Sequence, residues 1–169
     1  MLKLSGERLF IIPCSIHIAK AMTYNHAYLP TFLRVTVPAD WPSDDVKAIL
    51  PFYIEELEKD PTLLGWGPWI LIDPELKSVI GDAGFKGKPD ASGAVELGYG
   101  IHPNYRNLGY ASEAARALTE WALGDQKRVR AIRAECDETN TPSIRVLQKT
   151  GMTCVEKEAS ILKWERTRA

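Results

Sequence analysis

Cysteine and histidine are scarce in this chain of 169 residues, which contains three of each. Cys14, Cys136 and Cys154 are an odd number at wide spacing, and no CxxC pair is present to hold zinc or to act as a redox motif. The histidines form no HExxH pair and have no carboxylate at metal-binding spacing. We therefore expect no metal and a reducing compartment, the cytoplasm.

The sequence also lacks a long apolar run and an excess of charge of one sign. No stretch approaches the ~18 apolar residues of a membrane span, and Glu7 interrupts the apolar run that a signal peptide needs. Lys and Arg number 21 against 22 Asp and Glu. A basic cluster at Lys127, Arg128, Arg130 and Arg133 is better explained as a solvated strand edge or a ribose-phosphate contact than as an RNA-binding face. We expect a small ligand, no membrane and no nucleic acid.

Alternating apolar residues and turn signals predict strands, and apolar residues at helical spacing predict helices, within a single domain over 1–169. The expected strands are 9–13, 69–72, 78–85, 95–101, 129–136, 153–158 and 160–166, and the expected helices are 16–28, 44–59, 110–123 and 142–150. Pro51 predicts a kink or two shorter helices, and the prolines from Pro30 to Pro42 predict a loop. Thr141 is expected to cap the last helix, and Gly151 to end it.

The strand at 95–101 leads through a glycine-containing loop into the best helix of the chain. Small residues at Gly109 and Ala111 allow a phosphate to approach the unpaired N–H groups of the helix N-terminus, and Arg106 can add a charge-assisted contact. An ordinary strand-to-helix turn explains the same glycine. A P-loop is excluded because GxxxxGK[ST] is absent, and a Rossmann site because Pro103 replaces the third glycine of GxGxxG.

Two sequence blocks resemble the GCN5-related N-acetyltransferase (GNAT) superfamily. The segment RNLGYA at 106–111 matches its R/Q-x-x-G-x-G/A acetyl-coenzyme A signature. The segment NTPSIRVLQKTGM at 140–152 resembles the N-x-x-S-x-R-V-L-x-K-x-G-F block of the RimJ/RimL-like branch, with Met152 in place of Phe. The resemblance implies an α/β (α+β) fold, in which a mixed, mostly antiparallel sheet is flanked by helices and is splayed between its fourth and fifth predicted strands, 95–101 and 129–136.

The same resemblance implies that acetyl-coenzyme A is the cosubstrate and lies in this split. Backbone N–H groups of 106–111 would hold the pyrophosphate, and main-chain groups of 99–101 would pair with the pantetheine arm and the acetyl carbonyl. A simple strand bulge is the alternative explanation for Gly98 and Gly100. The implied cofactor-binding residues are Tyr99, Gly100, Ile101, Arg106, Asn107, Leu108, Gly109, Tyr110, Ala111, Asn140 and Ser143.

The candidate catalytic residues are Glu96 and Ser143. Glu96 is a candidate base for the acceptor amine, and its alternative role is a solvent-facing or substrate-orienting carboxylate. Ser143 is a candidate proton donor to the coenzyme thiolate, and its alternative role is a helix-cap hydroxyl. Tyr110 is a weaker candidate acid. Because no cysteine has the surroundings of an activated thiol, we expect the amine to attack bound acetyl-coenzyme A directly.

The resemblance implies that the acceptor amine binds over residues 15–69, and it weakens between residues 28 and 64. Aromatic residues there either line a pocket or belong to the core: Tyr24, Tyr28, Phe32, Trp41, Tyr53, Trp66 and Trp69. The expected substrate is a protein N-terminus or a small-molecule amine, and the protein is a monomer or homodimer. The alternative function is a non-catalytic sensor that binds acyl-coenzyme A.

Overall fold

The computed structural model describes residues 2–124 and 127–168, which form an eight-stranded sheet with helices on both faces. The strands are β1 (Leu4–Ser5), β2 (Phe10–Pro13), β3 (Pro68–Asp73), β4 (Ser78–Phe85), β5 (Ala94–Ile101), β6 (Ala131–Asp137), β7 (Thr153–Glu158) and β8 (Ile161–Thr167). The helices are α1 (Ile16–Tyr24), α2 (Leu29–Leu33), α3 (Asp44–Lys59), α4 (Tyr110–Gly124) and α5 (Thr141–Lys149).

The strand order is β1-β2-β3-β4-β5-β6-β8-β7, and among the strand pairs of the described residues only β5–β6 is parallel. This pair is short: it runs from Ala94 opposite Ala131 to Glu96 opposite Arg133. Beyond Glu96, β5 continues beside β4 alone, while β6 continues beside β8. The mixed, mostly antiparallel sheet with a split between these two strands is thereby confirmed.

Two hydrophobic cores cover the two faces of the sheet. On one face, α4 and α5 pack over β-strand residues, and Leu118 and Ile132 are fully buried there. On the other face, α1 and α3 pack over the N-terminal strands, and Leu50 and Ile70 are fully buried. Because successive strand residues point to opposite faces, each side chain of β5 is assigned to one of these two sides.

Proline produces two differences from the expected helices. Helix α3 is a single helix that contains Pro51, so the prediction of two shorter helices is wrong. The proline removes one backbone hydrogen bond, whereas Leu50, Ile54 and Leu57 on the same helix bury their side chains in the core and hold it in place. Pro30 occupies the first turn of α2, a position that proline tolerates, where a loop was expected.

The ends of α5 were predicted in part. Its N-cap is Asn140, not Thr141, because the Asn140 side chain accepts a hydrogen bond from the Ser143 N–H. Its C-terminus is the expected glycine cap. Gly151 has φ +83°, the Met152 N–H donates to the Leu147 carbonyl at 3.1 Å, and both apolar side chains are buried together.

Replacing Gly151 with alanine should lower the free energy of unfolding by about 1 kcal/mol, because a Cβ is strained at a left-handed φ. Urea denaturation followed by circular dichroism measures the change. Gly124→Ala is the matched control, since Gly124 lies at the end of α4 with nothing within 4 Å of an added Cβ. That variant should be unchanged or slightly stabilised, and equal losses in both variants would contradict the cap.

Candidate functional site

A cleft of about 750 Å³ lies between the C-terminal half of β5, the start of α4 and the start of α5. Ten of the eleven expected cofactor-binding residues line it; Leu108 is exposed outside it. The lining residues are Tyr99, Gly100, Ile101, Tyr105, Arg106, Asn107, Gly109, Tyr110, Ala111, Ser112, Asn140, Pro142, Ser143, Arg145, Val146 and Lys149. The fold therefore brings the two sequence blocks together across the split.

The N-terminus of α4 opens into this cleft. Asn107 and Gly109 have φ +63° and +85°, which turns the chain sharply before the helix. The N–H of Glu113 bonds the Gly109 carbonyl at 3.2 Å. The N–H groups of residues 110–112 precede that first turn, so they have no partner within the helix and provide donors for an anion, together with the positive end of the helix dipole.

A carboxylate of α4 fixes this loop to the N-terminal strands. Oε1 of Glu113 accepts hydrogen bonds from the N–H groups of Arg8 at 2.6 Å and Leu9 at 3.0 Å, and Oε2 pairs with Arg8 Nε at 3.1 Å. The Arg8 guanidinium then lies over the Tyr110 ring, 4.3 Å from its centroid. The sequence analysis did not predict this anchor, because its partners are 105 residues apart.

The charges on the cleft wall are all positive among the described residues that line it: Arg106, Arg145 and Lys149. Arg106 Nε donates to the Ile101 carbonyl at 3.0 Å, which holds its guanidinium beside β5. Arg145 and Lys149 are one turn apart on α5 and exposed. Their spacing of four residues in the sequence already predicts that both lie on one face of the helix.

The hydroxyl groups of Tyr99 and Ser143 meet on this wall at 2.7 Å. Asn140 already caps α5, so the alternative role of Ser143 as the cap hydroxyl is wrong. Burial raises the pKa of Tyr99, which keeps its hydroxyl protonated at neutral pH. The two hydroxyls are therefore hydrogen-bonded O–H donors beside the part of β5 that has separated from β6.

The Tyr110 hydroxyl has a different environment. It donates to Asp73 Oδ2 at 2.6 Å, and burial together with this hydrogen bond raises the pKa of Tyr110 to about 12. Asp73 also accepts the N–H groups of Glu75 and Leu76. The Tyr110 hydroxyl is thus engaged beneath the loop, and Ser143 is the better placed hydroxyl in the cleft.

A second cleft, of about 450 Å³, lies on the opposite face where β5 and β6 part. The two catalytic candidates are therefore separated: Ser143 lines the first cleft, and Glu96 lines the second, where Lys86 Nζ binds its carboxylate at 2.6 Å. The charged residues of the second cleft are Asp90, Glu96, Glu135, Glu156 and Glu165 against Arg133 and Lys163. This face is net negative.

The aromatic residues of the expected acceptor region divide into two groups. Trp41, Tyr53, Trp66 and Trp69 are buried, as core residues are, whereas Tyr24, Tyr28 and Phe32 are exposed. Over residues 2–124 and 127–168, no cluster of His, Cys, Asp and Glu side chains can hold a metal ion. In the same part of the chain, no helix is both long and apolar enough to span a membrane.

A family model described as an acetyltransferase (GNAT) domain matches residues 8–153. The chain belongs to the GNAT acetyltransferase family. This acetyltransferase is 33% identical over 125 residues to the uncharacterized N-acetyltransferase YjdG of Bacillus subtilis, and the match covers 74% of each protein. The resemblance identified from its two sequence blocks is confirmed.

Solved structures show the same GNAT fold. A ribosomal-protein-S5-alanine acetyltransferase from Vibrio fischeri matches with a TM-score of 0.67 at 16% identity, over 99% of this chain and 97% of that one. RimL, a ribosomal alpha-N-protein acetyltransferase in complex with coenzyme A, matches with a TM-score of 0.65 at 13% identity, over 98% of both chains. At these identities the likeness concerns the fold, and these structures are consistent with the RimJ/RimL-like branch.

Replacing Glu113 with glutamine should lower the free energy of unfolding by about 2 kcal/mol, because the oxygen that accepts from Arg8 Nε is lost and the two remaining hydrogen bonds lose their charged acceptor. Glu120→Gln is the matched control, since Glu120 is exposed on the same helix. Urea denaturation of both variants measures the difference. If the two variants lose the same stability, Glu113 does not anchor the N-terminal strands.

Proposed function

We propose that this GNAT protein transfers an acetyl group from acetyl-coenzyme A directly to a primary amine, either a small molecule or a protein N-terminus. The observation that carries the proposal is the first cleft. It combines the free N–H groups of a helix N-terminus with three cationic side chains, and no carboxylate lies among the described residues that line it.

The residues of this cleft fit coenzyme A chemically. Its phosphates are anions, which the α4 N-terminus and Arg106 can bind through N–H groups. Arg145 and Lys149 extend the positive charge along α5. Tyr99, Gly100 and Ile101 line the cleft, so a pantetheine arm can lie beside the main chain of β5. Bound here, the coenzyme supplies an activated thioester, and the main chain of residues 99–101 supplies donors for its carbonyl.

Ser143 and Tyr99 are proposed to serve the departing thiolate. Their hydroxyls are 2.7 Å apart on the cleft wall, so a proton given by Ser143 Oγ can be replaced from Tyr99. Protonation of a leaving group by a positioned donor lowers the barrier for its departure. Asn140 holds the start of α5 and thereby the position of Ser143.

The second cleft is the proposed entry for the amine. Five carboxylates and two cations line it, and the negative charge that remains after Lys86 pairs with Glu96 attracts an ammonium group, which is the form of most amines at neutral pH. Glu96 lies there and stays the base candidate that the sequence suggested. The names of the ribosomal-protein acetyltransferases among the structural neighbours support testing peptides with free α-amino groups.

Direct transfer is proposed partly because Cys14, a buried thiol that interacts electrostatically with Asp82, is a poor acyl carrier. Burial, with a smaller contribution from the charge of Asp82, raises the pKa of Cys14 to about 12, so its reactive thiolate is scarce. All three cysteines are free thiols, which supports the proposed cytoplasmic location. A monomer or homodimer remains the proposed state of assembly.

Calorimetry should detect acetyl-coenzyme A binding, and thiol release should rise when an alanyl tetrapeptide, a seryl tetrapeptide or spermidine is added. Initial-velocity plots should intersect, because both substrates bind before transfer; parallel plots would contradict direct transfer. Binding without thiol release for any of these amines would instead support the acyl-coenzyme A sensor.

Ser143→Ala and Tyr99→Phe should each lower kcat by about 100-fold, at the lower end for a general acid. The double variant should lose no more than either single variant, since residues that act as one unit are non-additive. Thr141→Ala, at an exposed position of the same helix, is the matched control. Additive losses in the double variant would show that the two hydroxyls act independently.

A further inference from the structure

A carboxylate that the sequence analysis did not single out lies next to the proposed acetyl site. Asp82 on β4 is paired with Gly100 on β5, so both residues face the same side of the sheet. Asp82 Oδ1 is 3.8 Å from the place where a Cβ on Gly100 would lie. The carboxylate therefore borders the main-chain segment 99–101, and it lies on the face of the sheet opposite the first cleft.

The surface between Asp82 and the second cleft is bare backbone. Glu96, Gly98 and Gly100 alternate along the same face of β5, and Glu96 lines that cleft. A Cβ on Gly98 would meet nothing within 4 Å, and one on Gly100 would meet only Asp82. The two glycines thus leave an open path along which an amine can move from the second cleft to Asp82.

Asp82 is held in place by one of its two oxygens. The indole Nε1 of Trp41 donates to Oδ2 at 2.9 Å. Trp41 is itself buried, and its carbonyl contacts His26 Nε2 at 2.5 Å. Oδ1 has no hydrogen-bond partner within residues 2–124 and 127–168, and no cation pairs with Asp82 there. One oxygen is oriented while the other is available to a ligand.

This environment changes the acidity of the carboxyl group. Burial raises the pKa of Asp82 to about 6, and the hydrogen bond from Trp41 opposes that rise. A base works best when its pKa lies near the operating pH, and a carboxylate desolvated without a cation is typical of functional sites. Glu96, by contrast, is four residues from Gly100, about 13 Å along the strand, and is paired with Lys86.

We infer that Asp82 is the catalytic base that takes a proton from the acceptor ammonium, an inference that rests on the proposed acetyl transfer. An N–H bond of the ammonium breaks as an O–H bond forms at Oδ1. The freed nitrogen lone pair forms the C–N bond to the acetyl carbon, and the C–S bond breaks. The acetylated nitrogen then loses a second proton, which makes up for the proton that the Ser143–Tyr99 pair gives to the coenzyme thiolate. Asp82 returns its own proton to water.

Other titratable groups surround this position and bear on its pH dependence. Cys14 at the end of β2 interacts electrostatically with Asp82, and Tyr53 from α3 donates to the Cys14 carbonyl. Burial raises the pKa of both, so neither changes charge near pH 6. His26 contacts Trp41, and His102 contacts Asp40 at 2.8 Å. If the pH profile of kcat/KM has an acid limb near pH 6, the group responsible for it must therefore be assigned by substitution.

The test compares Asp82→Asn with the parent protein, using the alanyl and seryl tetrapeptides and spermidine as probes. The amide is isosteric and its oxygen still accepts the Trp41 N–H, so the fold should persist. We expect kcat/KM at pH 7.5 to fall by about 100-fold or more. The acid limb near pH 6 should disappear, while calorimetric affinity for acetyl-coenzyme A should not change.

Three further variants make the outcome specific. Asp60→Asn removes an exposed carboxylate at the end of α3 by the same substitution and should leave the profile unchanged. Trp41→Phe should move the acid limb to higher pH, because it removes the bond that lowers the pKa of Asp82. Glu96→Gln tests the competing carboxylate, and the inference predicts that its acid limb is retained.

The outcomes separate this inference from the proposed function. If the parent binds acetyl-coenzyme A but acetylates none of the three probes, the proposed acetyl transfer to amines is overturned. If the parent is active and Asp82→Asn retains both rate and acid limb, the role of Asp82 alone is overturned. Loss of the limb in Glu96→Gln, with Asp82→Asn unaffected, would assign the base to Glu96.

Discussion

The parting of β5 from β6 is the constraint on which the rest of this structure depends. The two strands are the only parallel pair among the described residues, and they stay together for three residues. Beyond Glu96, one edge of β5 has no strand beside it, so its main-chain groups need other partners. A ligand with amide groups can supply them. The split also opens both faces of the sheet, which creates one cleft on each side.

The two clefts differ in charge, and this difference follows from which residues the helices and strands bring to each face. Helix α4 directs its positive end at the first cleft, and Arg106, Arg145 and Lys149 add to it. The second cleft receives mostly carboxylates from the outward-facing positions of the strands. The formal charge of -1 for the whole chain therefore does not show these two clefts of opposite charge, which suit an anionic cosubstrate and a cationic acceptor respectively.

The sequence predicted four of the five helices, every strand except β1 and most of the residues that line the first cleft, because periodicity and two contiguous blocks encode them locally. It did not predict contacts between distant positions. The Glu113 anchor joins residues 105 apart, and the Tyr99–Ser143 pair joins residues 44 apart. The prediction of two shorter helices at Pro51 was wrong, because the core packing of α3 outweighs one lost hydrogen bond. Asp82 is a single acid within an apolar strand, and its significance appears only when Gly100 and Trp41 are placed beside it.

Glu96 and Asp82 lie on the same face of the sheet as the second cleft, and their different positions give them different roles. Glu96 is paired with Lys86 at the apex of the split, where its carboxylate can accept a hydrogen bond from an entering ammonium and orient it. Asp82 is half-buried, and no cation pairs with it within residues 2–124 and 127–168, so its ionised form is disfavoured and the hydrogen bond from Trp41 offsets part of that cost. Such a cost is common where activity requires an unfavourable environment. Proton transfer needs the carboxylate that is poorly solvated, whereas Glu96 lies in the second cleft, the proposed entry for the amine, and the bare glycines of β5 connect the two.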